Sequence, residues 1–575
     1  MSPRRSARIV LGLAVTIAAV LALRVALWRP LAVRGAAPDD GFTRVRGVVH
    51  VHTTLSDGGG SPEEVAAAAR AAGLGFVVIT DHNNIDAKRF EGEHGGVLVL
   101  AGTEVSTTAG HVLGLGVRDP VFRFSGDARD ALEDIRDLGG YAFAAHPLSP
   151  REDFRWTGWD LPGPWGIELV NGDSQWRAAG WPRLLRTAAL YRLNPRYALL
   201  GSLTPPDDTL ARWDALLARR DVAGLAGADA HSRLVVRKER SVRFPSYEAL
   251  FALAQDHVVL DRPLTGQAGP DGQAIVAALA RGRGYVGLDA LAPAGDFSFT
   301  AEAGGRRFTM GDTVTPEVGL KLRAAGRMPA GARITIRHDG AVAGEGEGSV
   351  ELVPPGPGVY RAEVRVPGWS TPWILSNPIY VFGPEAAAAR AQNAAWPPEP
   401  PTPAAVEVID RFDGGSGFGP EFDASSSMDR NVVAKGAGPD GSDAARLAFR
   451  LGSPGPGRPY VWCALVSRQP RDLTGRHGLV FAIKGDGEYR LWVQVRVANP
   501  ASPDDGTETW FASVRTSNEW RRVAVPFDRL RSITRGSDGK LDLEKVRQLV
   551  FVLDLGADKP GTQGTIWIDD VGVFN

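Results

Sequence analysis

Nine side chains able to hold a metal ion or move a proton fall in the first half of this chain: His50, His52, Asp57, His82, Glu104, His111, His146, Asp229 and His231. His50 and His52 flank Val51, and Asp229 and His231 flank Ala230. In an extended chain residues i and i+2 share a face, so each pair can serve one site. Imidazole and carboxylate donors suit zinc, manganese or iron. A single cysteine, Cys463, excludes both an internal disulfide and a thiolate cluster. So many donors gathered together would repel or go unsatisfied without cations, and two or three divalent ions resolve that. Such ions prepare water for attack on phosphorus or on a carbonyl carbon. In that chemistry Glu104 is the candidate bridging carboxylate, and Asp229 and His231 are the candidates for moving protons. Arg233 and Asn171 are candidate substrate contacts, although Arg233 begins a cationic run to Arg240 and Asn171 equally suits a turn. His94, beside Glu91-Gly92-Glu93, reads as a surface residue and His257 as structural; Asp81 is expected to orient a ligand or cap a turn.

The elements that must position these residues alternate. Val45–Val51, Phe76–Thr80, Val97–Ala101, Val112–Leu115, Tyr141–Ala145, Ile167–Val170 and Val222–Ala226 are short apolar runs that read as strands. Between them Ser61-Pro62-Glu63-Glu64 spells a helix start, with a serine cap, a proline in the first turn and a capping-box glutamate; Gly73 ends that helix. Ala128–Leu138 and Leu210–Arg219 read as further helices. This alternation predicts a parallel sheet, open or closed into a barrel, with the candidate donors at the C-terminal strand ends where sites form. Trp156, Trp159, Trp165 and Trp176 either wall an apolar pocket or pack the core.

In order along the chain, His50-Val51-His52-Thr53-Thr54-Leu55-Ser56-Asp57-Gly58, Thr80-Asp81-His82-Asn83, Gly102-Thr103-Glu104-Val105-Ser106, Gly110-His111, Ala145-His146-Pro147 and Asp229-Ala230-His231 resemble the motifs of the PHP (polymerase and histidinol phosphatase) superfamily. The match covers roughly residues 44–290, and no ligand position of the family is missing. The resemblance implies a distorted (β/α)7 barrel with a two- or three-metal site and hydrolase activity. A downstream β-sandwich looks closest to the branch with carbamate- and aryl-ester-hydrolysing enzymes.

The remaining chain divides by composition. Residues 41–290 carry the motifs; 291–383 show short alternating strands between Gly and Pro turns, a small β-sandwich. An Ala/Pro-rich spacer follows at 384–404, and 405–575 read as an all-β jelly roll. That last region, with Trp462, Trp492, Trp510, Trp520 and Trp567 and the ending Ile566-Trp567-Ile568-Asp569-Asp570-Val571, resembles galactose-binding-like carbohydrate-binding modules. The resemblance makes a glycan a candidate partner, and Asp569 or Asp570 a candidate holder of structural calcium.

At the N-terminus, residues 1–37 hold Arg4, Arg5 and Arg8 before an apolar run from Ile9 to Leu23, resumed after Arg24 to Trp28. This reads as a transmembrane helix anchoring an extracytoplasmic protein, with a cleaved signal peptide and a secreted product as the alternative. The full chain of 575 residues has 65 basic and 66 acidic residues, a net charge of -1, and no long basic block, which argues against nucleic acid as a partner. Three functions follow. The first is a metal-dependent phosphoesterase acting on a small molecule. The second is a hydrolase of carboxylic or carbamic esters at the same site. The third is a surface carbohydrate-binding protein with a vestigial metal domain, against which the intact donor set argues.

Overall fold

The computed structural model describes residues 3–575 apart from 238–239, 399–400, 458, 503–505, 533 and 535–536; the side chains of 3–11 and 176–178, Trp176 among them, lie outside the description. Two compact units emerge. One takes in Met1–Arg118 and Gly126–Pro397, the other Asp119–Ser125 and Pro398–Asn575.

The N-terminal helix α1 (Pro3–Ala26) corrects one expectation. Among the described residues no helix is long and apolar enough to cross a membrane. The predicted transmembrane helix, and with it the membrane as a partner, is therefore not found.

Seven strands then close a barrel. They are β1 (Thr43–Val51), β2 (Phe76–Ile79), β3 (Leu98–Thr107), β4 (Gly110–Leu115), β5 (Tyr141–Ala144), β6 (Trp165–Asn171) and β7 (Gly224–Ala230). They pair in chain order, and β7 returns to β1 in parallel to complete the ring. Only β4 runs against its neighbours, because Thr107 to Gly110 turn the chain back as a hairpin on β3. That hairpin carries β3 to Thr107, well past the apolar run ending at Ala101, and leaves Glu104 inside a strand.

Local sequence accounts for the helices that cover the barrel. In α2 (Pro62–Ala71) the Ser61 hydroxyl accepts from Glu64 N, and the Glu64 carboxylate accepts from Ser61 N. This is the predicted capping box, which satisfies two otherwise orphan amides. In α3 (Ala128–Asp137) Asp127 accepts from the amides of Arg129 and Asp130, while Ala131, Leu132 and Ile135 form the buried stripe at helical spacing. The interior is lined by Val49, Phe76, Val78, Leu100, Leu113, Phe143 and Leu225.

Strand β1 has two sets of partners. Its first half, Thr43–Gly47, pairs antiparallel with β8 (Gln255–Leu260), and its second half closes the barrel. Through β8 and β9 (Gly284–Gly287) the sheet continues into Ile374–Ser376 and Gly358–Arg365. Opposite lies a four-stranded sheet containing Phe297–Ala303 and Lys321–Gly326, and Phe297, Phe299, Ile336, Tyr360 and Trp373 fill the space between. Within the predicted spacer, Pro384–Ala394 is helical, fastened by Arg390 to Asp221 at 2.8 Å.

In the second unit two antiparallel sheets, of five main strands and six, enclose Leu447, Cys463, Phe481, Val493, Trp510, Phe551 and Ile568. Alternation along the central strand Arg490–Ala498 sends Leu491, Val493, Val495 and Val497 inward and turns Trp492, Gln494 and Arg496 outward.

Candidate metal centre

At one end of the barrel the nine donors meet around Glu104. Its Oε2 stands 3.1 Å from both His50 Nε2 and His52 Nε2 and 3.3 Å from His82 Nδ1. Its Oε1 is 2.8 Å from His111 Nδ1 and from His146 Nε2. Asp229 Oδ1 lies 3.4 to 3.5 Å from His50, His52 and His231, and Asp57 Oδ1 faces His231 at 3.3 Å, His52 at 3.7 Å and His82 at 3.8 Å. All nine fall into four overlapping groups with metal-ligand spacing: His52–Asp57–His82–His231, His50–His52–Asp229, His50–Glu104–His146 and His82–Glu104–His111.

The backbone reaches this arrangement by a route that strand alternation does not predict. The register of β1 slips between Val48 and Val51, and His50 sits in the bulge at φ +67°. His146 (φ +31°), Asp229 (φ +47°) and Asn83 (φ +53°) are left-handed as well. For residues other than glycine such conformations cost on the order of 1–3 kcal/mol each and persist only where the surroundings impose them. Asp229 also lies within β7 rather than beyond its end.

Whether these residues suit a cation is decided by their unmet hydrogen bonds. His50 Nε2, both ring nitrogens of His52, and His82 Nδ1 are buried with no hydrogen-bond partner. Orphaned buried nitrogens are costly, and a cation accepting their lone pairs removes the cost. Electrostatics point the same way. Burial opposes the charge on Glu104, yet His50, with His111 and His146 beside it, overcomes burial and holds the carboxyl well below the usual range. Asp229 is held low by His50, His52 and His231, again against burial. Burial likewise opposes charge on His231, but Asp57 and Asp229 raise it to about 9. Acids so stabilised by surrounding positive charge are ready to hold a metal in place of imidazolium protons.

Supporting residues surround the donors. Asp81 ties down the 53–56 turn, accepting from Thr53 N at 2.8 Å, Thr53 Oγ1 at 2.7 Å and Ser56 Oγ at 2.5 Å. Tyr247 donates to His52 O at 2.8 Å and accepts from Gly60 N at 3.1 Å. Glu168, which the sequence reading missed, lies against His50 Nδ1 at 2.6 Å. Its signal was available: a lone carboxylate inside the otherwise apolar run of β6.

The two predicted substrate contacts differ. Arg233 is exposed at the mouth and donates to Asp57 O at 3.2 Å. Asn171 is buried, donates to Glu168 at 2.8 Å and accepts from Ser174 N at 2.8 Å. Beside the mouth Phe154 packs edge-on to His111 (4.7 Å between centroids), and the Arg151 guanidinium lies 3.6 Å over its ring, 3.9 Å from Asp173. His94 stacks on Phe90 at 4.1 Å and is partly buried rather than fully at the surface. His257 stacks on Tyr285 and bonds Asp289. Trp156 and Trp159 pack against Trp165.

In the second unit the candidate calcium residues do not converge. Asp570 faces Arg411 and Arg522, and Asp569 accepts from Ser442 Oγ; among the described residues no metal-capable group includes either.

No family model matches the chain. A protein of Methanocaldococcus jannaschii described as uncharacterized is 32% identical over 117 residues, which are 18% of this chain and 67% of that protein. Among solved structures, a two-domain protein from Bacteroides vulgatus containing a predicted PHP-like metal-dependent phosphoesterase aligns over 62% of this chain and 99% of its own, at 16% identity and a TM-score of 0.30. A family 11 carbohydrate-binding module from Clostridium thermocellum, in complex with a β-1,3-1,4-mixed-linked tetrasaccharide, aligns over 29% of this chain and 95% of its own, at 16% identity and a TM-score of 0.24. A family 30 module from a cellulosomal cellulase of the same organism aligns over 30% and 95%, at 15% identity and a TM-score of 0.22. By its identity to the Methanocaldococcus jannaschii protein over two thirds of that relative, the chain belongs to the same family, and it carries in order the motifs of the PHP superfamily.

Proposed function

We propose that this chain is a metal-dependent hydrolase of small phosphoesters. The observation that carries the reading is the convergence of nine donors, five histidines of them around Glu104, with four buried imidazole nitrogens left without partners. His50, Glu104 and His146 would hold one ion, and His52, Asp57, His82 and His231 another, with His111 and Asp229 completing the shells. Zinc, manganese and iron all suit this donor set. Bound there, divalent ions supply Lewis acidity toward a phosphoryl or carbonyl oxygen and make water more acidic.

The chain's own groups have distinct tasks. Glu104, with one oxygen toward His50, His52 and His82 and the other toward His111 and His146, would be the bridging carboxylate. In this reading His231, with 21% of its side chain exposed at the mouth and Asp229 behind it, either completes the shell of the second ion or moves a proton at the leaving group, one role excluding the other. Arg151 and Arg233 border the same opening. Two fixed guanidinium groups favour an anionic substrate over a neutral carboxylic or carbamic ester.

Metal-stripped protein reloaded with manganese or zinc, assayed on nitrophenyl phosphate mono- and diesters, nitrophenyl carboxylic esters and an aryl carbamate, tests the reading. Metal-dependent turnover of the phosphates is expected. Turnover confined to the esters or the carbamate would replace the phosphoesterase reading with the ester hydrolase.

A second reading concerns the other unit. On the outer face of its six-stranded sheet, Trp492 and Trp462 lie partly buried over Val466, Val550 and Val552, and Phe511 meets Trp492 edge-on at 5.1 Å. Gln494, Arg496 and Gln548 form a hydrogen-bonded polar row on the same face. Apolar rings beside amide and guanidinium groups suit a sugar, and we infer glycan binding there.

A further inference from the structure

Inside the barrel one carboxylate is not used by the reading above. Glu168, in β6, has no exposed side-chain surface. Its Oε1 lies 2.6 Å from His50 Nδ1; its Oε2 accepts from the backbone N of His146 at 2.5 Å and from Asn171 Nδ2 at 2.8 Å. A carboxylate only accepts, so the ring proton of His50 sits on Nδ1. That leaves His50 Nε2, which has no hydrogen-bond partner, as the nitrogen that faces Glu104 and Asp229 at 3.1 and 3.4 Å and that would bind an ion held between them. His50 and His146 are both left-handed, on different parts of the barrel, and Glu168 is the partner they share. Residue 227 leaves room for this crossing only because it is glycine; a Cβ there would collide with the Glu168 carboxylate.

We propose that Glu168 is a positioning residue that clamps His50 and His146 together and so sets the metal position they form with Glu104. The assignment rests on the metal reading above. Because, among the described residues, no hydrogen bond or ion pair joins Glu168 to His52, Asp57, His82 or His231, its effect is confined to the ions that His50 and His146 hold.

Glu168→Gln tests this with little change in volume. Its amide offers one acceptor and one donor, so whichever way it turns a donor faces either His50 Nδ1–H or the N–H groups of His146 and Asn171. Stripped full-length chain, wild type and variant, is titrated with zinc by calorimetry, and the stripped forms are melted in parallel. Expected is a loss of about 10–100-fold in affinity at one class of site, an unchanged second class, and a melting temperature of the stripped variant close to wild type. Gly227→Ala, which presses on the same carboxylate from the other side, is expected to weaken the same class, and it decides alone if the glutamine variant does not fold. Isotherms matching wild type overturn the proposal. So does equal weakening at every site with a lowered melting temperature, which would make Glu168 merely structural. Failure of the wild-type chain itself to bind zinc would overturn the metal reading and this assignment with it.

Discussion

Two buried histidine neighbourhoods of the first unit differ in how their nitrogens are satisfied. His52 and His257 are almost equally buried, at 0% and 1% exposure. His257 bonds Asp289 Oδ2 at 2.7 Å and lies flat on Tyr285, with ring centroids 4.8 Å apart. His52 has neither ring nitrogen hydrogen-bonded and crowds against His231 at 4.1 Å and His82 at 4.5 Å. Burial alone therefore does not mark a functional histidine. What separates the two is whether the fold itself supplies the partner or leaves that to a cation.

The sharpest way to break this contrast is to exchange the two classes. His50→Ala or Asp229→Ala is expected to lower kcat/KM on the order of a thousandfold or more. His257→Ala is expected to leave kcat/KM within about threefold while lowering stability by about 1–3 kcal/mol, through a lost ring contact and a lost bond to Asp289 Oδ2. Similar losses of activity in both would dissolve the distinction. Next in size, stripping metal should lower the melting temperature, since ions at 1,000 times their Kd stabilise by about 4 kcal/mol. His257→Ala should show that shift undiminished, and His50→Ala should show less of it.

A third kind of buried group sharpens the comparison most finely. In the second unit Asp558 accepts from Arg490 N with one oxygen and leaves the other without a partner. Among the described residues no metal-capable group includes it, and burial, against the pull of Arg490, raises its carboxyl to about 8. Here a proton does what a partner does for His257. The folded chain keeps that proton where the unfolded chain, with an ordinary carboxyl, releases it. Stability therefore falls as pH rises from the usual carboxylate range to about 8, by at most about 1.4 kcal/mol per pH unit, and the slope vanishes above. Asp558→Asn should remove this component, seen as the difference between wild-type and variant melting temperatures from pH 5 to 9. Parallel curves would mean that Asp558 carries no such proton.

How much of this was legible depends on what kind of fact each residue is. The β1 pair His50 and His52 could be picked out because type, spacing and the adjoining apolar run lie within a few residues. The capping box of α2 is local in the same way. Glu104 was read as a donor but placed at the end of a strand, because its strand is prolonged by pairing with β4, which the run to Ala101 does not reveal. Asn171 was read as a substrate contact or a turn residue, and its bonds to Glu168 and Ser174 depend on a residue whose part the sequence did not reveal. Glu168 went unnoticed because its importance lies in residues 118 and 22 positions away. The N-terminal apolar run suggested a membrane span, and among the described residues no helix is long and apolar enough to be one.

By itself, then, the sequence determined the donor inventory, the ruling out of cysteine chemistry, the alternation of strands with helices and the change to all-β architecture downstream. These follow from residue type and short-range periodicity, which each segment carries alone. Closure of β7 onto β1, reversal of β4, the left-handed turns at His50, His146 and Asp229, and the reach of Glu168 across Gly227 were decided only by tertiary structure. Each depends on groups far apart in the chain competing for one buried space, where an unfavourable backbone angle or an unpartnered nitrogen is tolerated because the rest of the barrel holds it in place.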